Sequence, residues 1–255
     1  KKCLKELTIK DNFMFGAVMS DAENCRRFLE MAAGFSIERV EVIKEKSMVY
    51  HPEYKGVRLD VFARDEKNTH YNVEMQMLPQ AELGRRSRYY HGQMDAETLL
   101  SGSTYGMLPD SYVIFICDFD PFGEKKYRYT FENRCLENPN LGLGSGERTL
   151  FLSTAGENEE DEPEELVQFL KYVKADLEES ESSFEDEYVQ MLQKAVRHVK
   201  ESRELEEKFM VLEEMLQDER EEGRTEGRAL AVIELLETIG EVPQSLREKI
   251  LGQTD

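Results

Sequence analysis

The chain has no apolar run of about 18 residues, the length a membrane-spanning helix needs. Its lysine-rich start also lacks the apolar stretch and small-residue cleavage site of a secretory signal. A soluble, globular, cytoplasmic protein without a membrane partner is therefore expected. The first residue is lysine rather than methionine, which leads us to expect a trimmed N-terminus. Only four cysteines occur, Cys3, Cys25, Cys117 and Cys135, and none form a CxxC pair. They read as reduced thiols rather than zinc ligands or a disulfide framework. His51, His70, His91 and His198 show no ligand-like spacing, and His70, in an expected turn, reads as a surface residue. There is no Ser-His-Asp string, Walker-type glycine loop or HExxH pair. The GLGSG stretch from Gly142 to Gly146 lacks the strand-to-helix setting of a phosphate loop.

Basic charge is also scarce. The net charge of −20 argues at first against a nucleic-acid partner, because phosphates are bound mainly by Lys and Arg. The distribution changes that judgement. Residues 1–150 hold 21 Lys and Arg against 23 Asp and Glu, whereas residues 151–255 hold 12 against 30. The acidic excess belongs to the C-terminal part, and the first part is near neutral with local basic clusters.

What is present is enough for one sizeable core and an appendage: 255 residues, 40% of them hydrophobic. Two regions are expected, residues 1–150 and an acidic helical region over 151–255. Between Lys10 and Ala33 the apolar spacing predicts one or two helices, interrupted near Ser20 and Asp21. Val57 to Arg64 and Tyr71 to Met77 alternate with period two around a polar stretch, predicting two antiparallel strands and a turn. Ala81 to Leu100 reads as a long helix with Leu83, Tyr90, Met94 and Leu99 on one side. Tyr112 to Cys117 has the compact apolar run of a doubly covered strand, expected to lie parallel to Tyr71–Met77 through a right-handed crossover. Tyr127 to Phe131 is a further candidate strand.

Residues 139–162 combine Pro139, four glycines and an acidic run, and read as a loop or domain joint. Glu164–Leu177 and Phe184–Leu216 carry helical stripes, including Val189, Leu192, Val196, Val199, Leu205, Phe209, Leu212 and Leu216. Core packing is the expected use of that stripe. The two EGR elements within Glu221–Leu230 are compatible with helix, although each glycine costs about 1 kcal/mol relative to alanine. Ala229–Ile239 and Ser245–Ile250 are expected as short helices split by Pro243.

Alternation puts Arg58, Asp60, Phe62 and Arg64 on one face of the first strand, and Asn72, Glu74 and Gln76 on one face of the second. With a turn centred on Lys67, paired residue numbers sum to 134, which sets Asp60 opposite Glu74. Like charges so placed repel. Either a shared proton or a hard divalent cation relieves that repulsion, unless both side chains lie on a solvated face in another register. Gln76, one pleat on, is placed to hold a water beside such a cation. The following helix offers Arg85, Arg86, Arg88, Tyr89, Tyr90 and Gln93, either as phosphate contacts, with Arg85 beside Tyr89, or as an ordinary solvated face.

Four segments in order, DNFMFGAVM, RLDVFARDEKNTHYNVEMQM, ELGRRSRYYHGQM and SYVIFICDF, resemble the PD-(D/E)XK nuclease superfamily. Within it they resemble the recombination-promoting, transposase-like nucleases, over roughly residues 8–135, with a looser likeness through the charged tail. The resemblance implies an α/β, restriction-endonuclease-like fold, with a central mixed sheet flanked by helices and an α-helical C-terminal extension. It implies a Mg²⁺- or Mn²⁺-dependent DNA endonuclease serving recombination or mobile elements. Asp60, Glu74 and Gln76 become the catalytic set, with Asp60, Glu74 and Asp11 as metal ligands. Arg85, Arg88, Tyr89 and Gln93 become substrate contacts. The alternative for Asp11 is a helix N-cap. Gln76 replaces the superfamily's lysine and is neither a base nor a cation. A catalytically silent DNA- or protein-binding module of the same fold, or a phage-defence effector, is the competing reading. The helical tail would then serve homo-oligomerisation or regulation.

Overall fold

The computed structural model describes residues 3–44, 47–48, 57–58, 60–237 and 243–252. Contacts divide the chain into two compact units, Lys5–Glu201 and a second built on residues 202–255. In the first unit two helices, α1 (Asn12–Met19) and α2 (Ala22–Ala33), break at the expected place. The reason is local: Asp21 turns its carboxylate onto the amides of Glu23 and Asn24 and caps α2, which ends on Gly34 at φ +79°.

A six-stranded sheet forms the centre. Its strands are β1 (Val40–Lys44), β4 (Val61–Asp65), β5 (His70–Gln76), β6 (Ser111–Cys117), β7 (Arg128–Phe131) and β8 (Glu147–Ser153), in the spatial order β1-β4-β5-β6-β8-β7. β5, β6 and β8 run parallel, and the other pairs are antiparallel. Two short strands, β2 (Ser47–Met48) and β3 (Val57–Arg58), pair apart from it. The strand expected over Val57–Arg64 is therefore two pieces with a bend at Asp60 between them. The β4–β5 register pairs Val61 with Val73 and Phe62 with Asn72, the expected sum of 134. Asp65 fixes it, its carboxylate accepting from Lys67 N, Thr69 N and the Tyr71 hydroxyl at 2.8–2.9 Å. His70, expected on the surface, is buried as the first residue of β5, edge-on to Phe62.

α3 (Leu83–Thr98) links β5 to β6 and covers one sheet face, packing Leu83, Tyr90 and Met94 onto Phe62, Val113, Phe115 and Phe151. The face of Glu74 is thus roofed by a helix, not solvated. On the opposite face Tyr71, Val73, Tyr112, Ile114 and Ile116 are also buried. α1 and α2 pack with α4 (Glu164–Lys174) and α6 (Glu187–Glu201) around Phe15, Phe28, Phe169 and Tyr188, while α5 (Leu177–Ser180) is a single capped turn.

Two expectations give way here. The loop expected over 139–162 contains β8, whose Leu150, Phe151 and Leu152 are buried between β6 and β7. A boundary at residue 150 falls inside that strand, and α4, α5 and α6 belong to the first compact unit. The stripe Val189, Leu192, Val196 and Val199 is core, as expected, but the helix expected to run on to Leu216 ends at Glu201. In the second unit α7 (Arg203–Glu237) runs through both EGR glycines and absorbs most of the next expected helix, before α8 (Gln244–Leu251). No helix among the described residues is long and apolar enough to cross a membrane.

Candidate active site

The β4–β5 ladder begins at Val61, one residue too late to include Asp60. Asp60 nevertheless lies against β5 through its side chain: Oδ2 accepts from Met75 N at 3.2 Å, and Asp60 N donates to Glu74 Oε1 at 3.4 Å. A carboxylate has taken the place of a strand neighbour. From the helical side Asn12 Nδ2 donates to the same Oδ2 at 3.3 Å, and Gly16 brings α1 close to the Asp60 carbonyl.

Glu74 is 2% exposed and is the middle one of three polar residues, between Asn72 and Gln76, on the strand face beneath α3. Burial, and then the charge of Asp60, push its carboxyl up to about 7; Arg86 and Asn72 act in the opposite direction without cancelling them. The guanidinium of Arg86 spans the row. Its Nη2 donates to Glu74 Oε2 at 2.6 Å, Nη1 to Gln76 Oε1 at 3.0 Å, and Nε to the Tyr90 hydroxyl at 2.5 Å. It also sits 5.1 Å from the Tyr90 ring centroid and 5.7 Å from that of Phe115. Burial opposes its charge, but Tyr90 and Glu74 outweigh burial and hold it above its ordinary value. The Tyr90 hydroxyl, 3.4 Å from Glu74 Oε2, is pushed up to about 12 by burial and by that carboxylate. Gln76 donates from Nε2 to the Leu78 carbonyl at 2.8 Å, so both ends of its amide are engaged.

A family model of PD-(D/E)XK nuclease family transposases matches residues 14–226. The chain belongs to that family. The match takes in the sheet, the carboxylate pair, α3 and most of α7, and the mixed sheet flanked by helices fits a restriction-endonuclease-like fold with a helical C-terminus. No curated protein and no solved structure matches the chain.

In this PD-(D/E)XK family member Asp60 and Glu74 are in contact, and Arg86 links Gln76 to Glu74. The structure does not gather Asp11 with them: that carboxylate accepts from Thr8 N at 3.2 Å at the mouth of α1, and it is the next residue, Asn12, that touches Asp60. Among the described residues no three His, Cys, Asp or Glu side chains gather as a ligand set. Two carboxylates remain, hard oxygen donors whose mutual repulsion is not offset by Arg86, and they fit a divalent cation that keeps water in its remaining positions. Arg85 and Arg88 are exposed, with Arg85 facing Glu82, Tyr89 is 36% exposed, and Gln93 is half-buried. The α3 residues that reach the carboxylates are Arg86 and Tyr90. Their signal was in the spacing: Leu83, Arg86 and Tyr90 lie three and four apart, on the inward stripe.

Proposed function

We propose that this PD-(D/E)XK family transposase hydrolyses DNA phosphodiester bonds with Mg²⁺ or Mn²⁺ held between Asp60 and Glu74, in recombination or the movement of genetic elements. The reading is carried by the pair itself. Two carboxylates drawn together, one on the bend before β4 and one on β5, the latter buried and resisting ionisation, make an electrostatic arrangement that a divalent cation relieves. Bound there, the metal supplies Lewis-acid neutralisation of phosphate charge. The protein's share is positioning. Met75 N and Asn12 hold the Asp60 carboxylate, and the Arg86–Tyr90 pair holds that of Glu74. Arg85, Arg88 and Tyr89, exposed on α3, would follow a DNA backbone, with the half-buried Gln93 as a further contact.

The test is conversion of supercoiled plasmid to nicked and linear forms by the purified protein with Mg²⁺, Mn²⁺ or EDTA. Cleavage with either metal and none with EDTA is expected. No cleavage under any condition, together with unchanged thermal stability on adding metal, would replace this reading with the silent binding module that Gln76 favours.

The tail carries a second, smaller proposal. α7 leaves Met210, Val211 and Met215 more than half exposed among charged neighbours, and such residues support pairing with another copy of the chain. Light scattering of the full chain is expected to give at least a dimer mass, and a monomer at about 100 µM would remove the idea.

A further inference from the structure

Gln76 leaves the site without the cation that phosphodiester cleavage calls for. The reaction gathers negative charge on the phosphate, and Asp60 and Glu74 add their own, while an amide is neutral and cannot carry a proton away. A cation is nonetheless present, delivered from α3 rather than from β5.

Three features distinguish Arg86 from a plain counter-ion. A guanidinium that only neutralised Glu74 would meet it most strongly through two parallel bonds. Arg86 instead spends one N–H on Glu74, one on Gln76 and one on Tyr90, while a further N–H on Nη1 reaches Gln80 Oε1 at 3.4 Å. One N–H on Nη2, the nitrogen that already touches Glu74, has no partner among the described residues. The anchors are themselves fixed: Gln76 is held through Leu78, and Tyr90 is 6% exposed and stacked on Phe115. Finally, the group is open to the outside, for the Arg86 side chain is 33% exposed where the Glu74 side chain beneath it is 2%. A cation held rigidly by its back and sides, with one donor to spare, is suited to a single non-bridging oxygen of a phosphodiester, whose negative charge grows in the transition state.

We propose that Arg86 is a catalytic residue of this site, donating from Nη2 to a non-bridging oxygen of the scissile phosphate and supplying the charge that Gln76 lacks. Gln76 and Tyr90 are positioning residues, which hold the guanidinium in place. The inference rests on the nuclease reading above.

Its test is steady-state nicking kinetics on the parent, Arg86→Met, Tyr90→Phe and the double variant Arg86→Met/Gln76→Lys. Each is accompanied by thermal unfolding in EDTA and by binding of a fluorescent duplex. Per folded molecule, Arg86→Met is expected to lower kcat by about 10²–10³-fold with KM and duplex affinity changed by less than about threefold, the signature of contact made in the transition state. Lysine at position 76 in that background is expected to recover at least about tenfold of the lost kcat. Folded Arg86→Met cleaving at the parent rate, or a double variant that regains thermal stability without regaining kcat, would reduce Arg86 to a counter-ion. If Arg86→Met does not fold, Tyr90→Phe decides. It keeps the ring and removes the anchor on Nε together with the 3.4 Å bond to Glu74 Oε2, so a fall in kcat of about tenfold at constant KM and at an unchanged Mg²⁺ concentration for half-maximal rate supports the proposal, whereas an unchanged kcat or a weakened metal dependence overturns it. An inactive parent would sink the nuclease reading and this inference with it, whereas an active parent with active Arg86 variants sinks this inference alone.

Discussion

Exchanging Asp60 for asparagine, or Glu74 for glutamine, is expected to remove metal-dependent plasmid nicking by about 10³-fold or more while the protein stays folded. The magnitude follows from what a carboxylate pair does for a metal. Lewis-acid stabilisation of phosphate charge contributes several kcal/mol, and each 1.36 kcal/mol is about tenfold in rate. The amide replacements are the informative ones, because they preserve shape. An asparagine at position 60 keeps an oxygen for Met75 N and Asn12, so the bend that draws Asp60 onto β5 has its acceptor in place. A glutamine at 74 keeps an oxygen for Arg86 and Tyr90, giving up only the long 3.4 Å bond from Asp60 N to Oε1. What each loses is charge, and with it affinity for a hard cation. The same variants are expected to lose any rise in melting temperature that Mg²⁺ gives the parent. Either variant nicking at the parent rate, folded and in the same metal, would show that the pair does not hold the catalytic metal. Asp11→Asn is the contrasting case: its carboxylate serves Thr8 N, so its effect is expected to stay well below that of the other two.

Much of this geometry was readable from the chain alone, and the reasons differ from residue to residue. The β4–β5 register was legible once the turn was centred on Lys67, because the alternation on both strands then sets the pairing, and a shift by one residue would turn Phe62 out of the core. β6 was legible from SYVIFIC, apolar on both faces as a doubly covered strand must be. β8 was not, since only Leu150, Phe151 and Leu152 of its seven residues make an apolar run, and glycines flank it on both sides. Its place is set by long-range pairing with β6 and β7, which no local pattern announces. Arg85 and Arg88 drew attention as exposed charges do, yet the inward arginine is Arg86. Deciding between them required the helical phase set by Leu83 and Tyr90, together with a side chain long enough to pass over Phe115 to Glu74. Asp11 was read by its type and position, and the structure sets Asn12 against Asp60 instead.

The second large effect concerns stability, and its sign runs against ordinary expectation for a buried polar site. Glu74 is held near 7 in the folded, metal-free protein, against an ordinary value of 4.5, first by burial and then by Asp60. Between those two values the folded state binds the proton that the unfolded state has already released. Stability therefore falls as pH rises from about 4.5 to about 7, by at most on the order of 3 kcal/mol, and levels off above. Glu74→Gln removes that proton linkage. In EDTA, urea unfolding of the variant is expected to show a flatter profile between pH 5 and 8 and a gain over the parent of about 1–3 kcal/mol at pH 8. Adding Mg²⁺ should reverse the order, because binding to the folded parent stabilises it by RT ln(1 + [Mg²⁺]/Kd), while the variant has no pair to bind it. A variant less stable than the parent at pH 8 in EDTA would mean that the Arg86 ion pair outweighs both burial and the Asp60 charge. The carboxylates would then be an ordinary structural pair with no call for a cation. The expected result, a site that gains stability when its acid is removed and loses its chemistry in the same step, is what separates carboxylates placed for a metal from carboxylates placed for the fold.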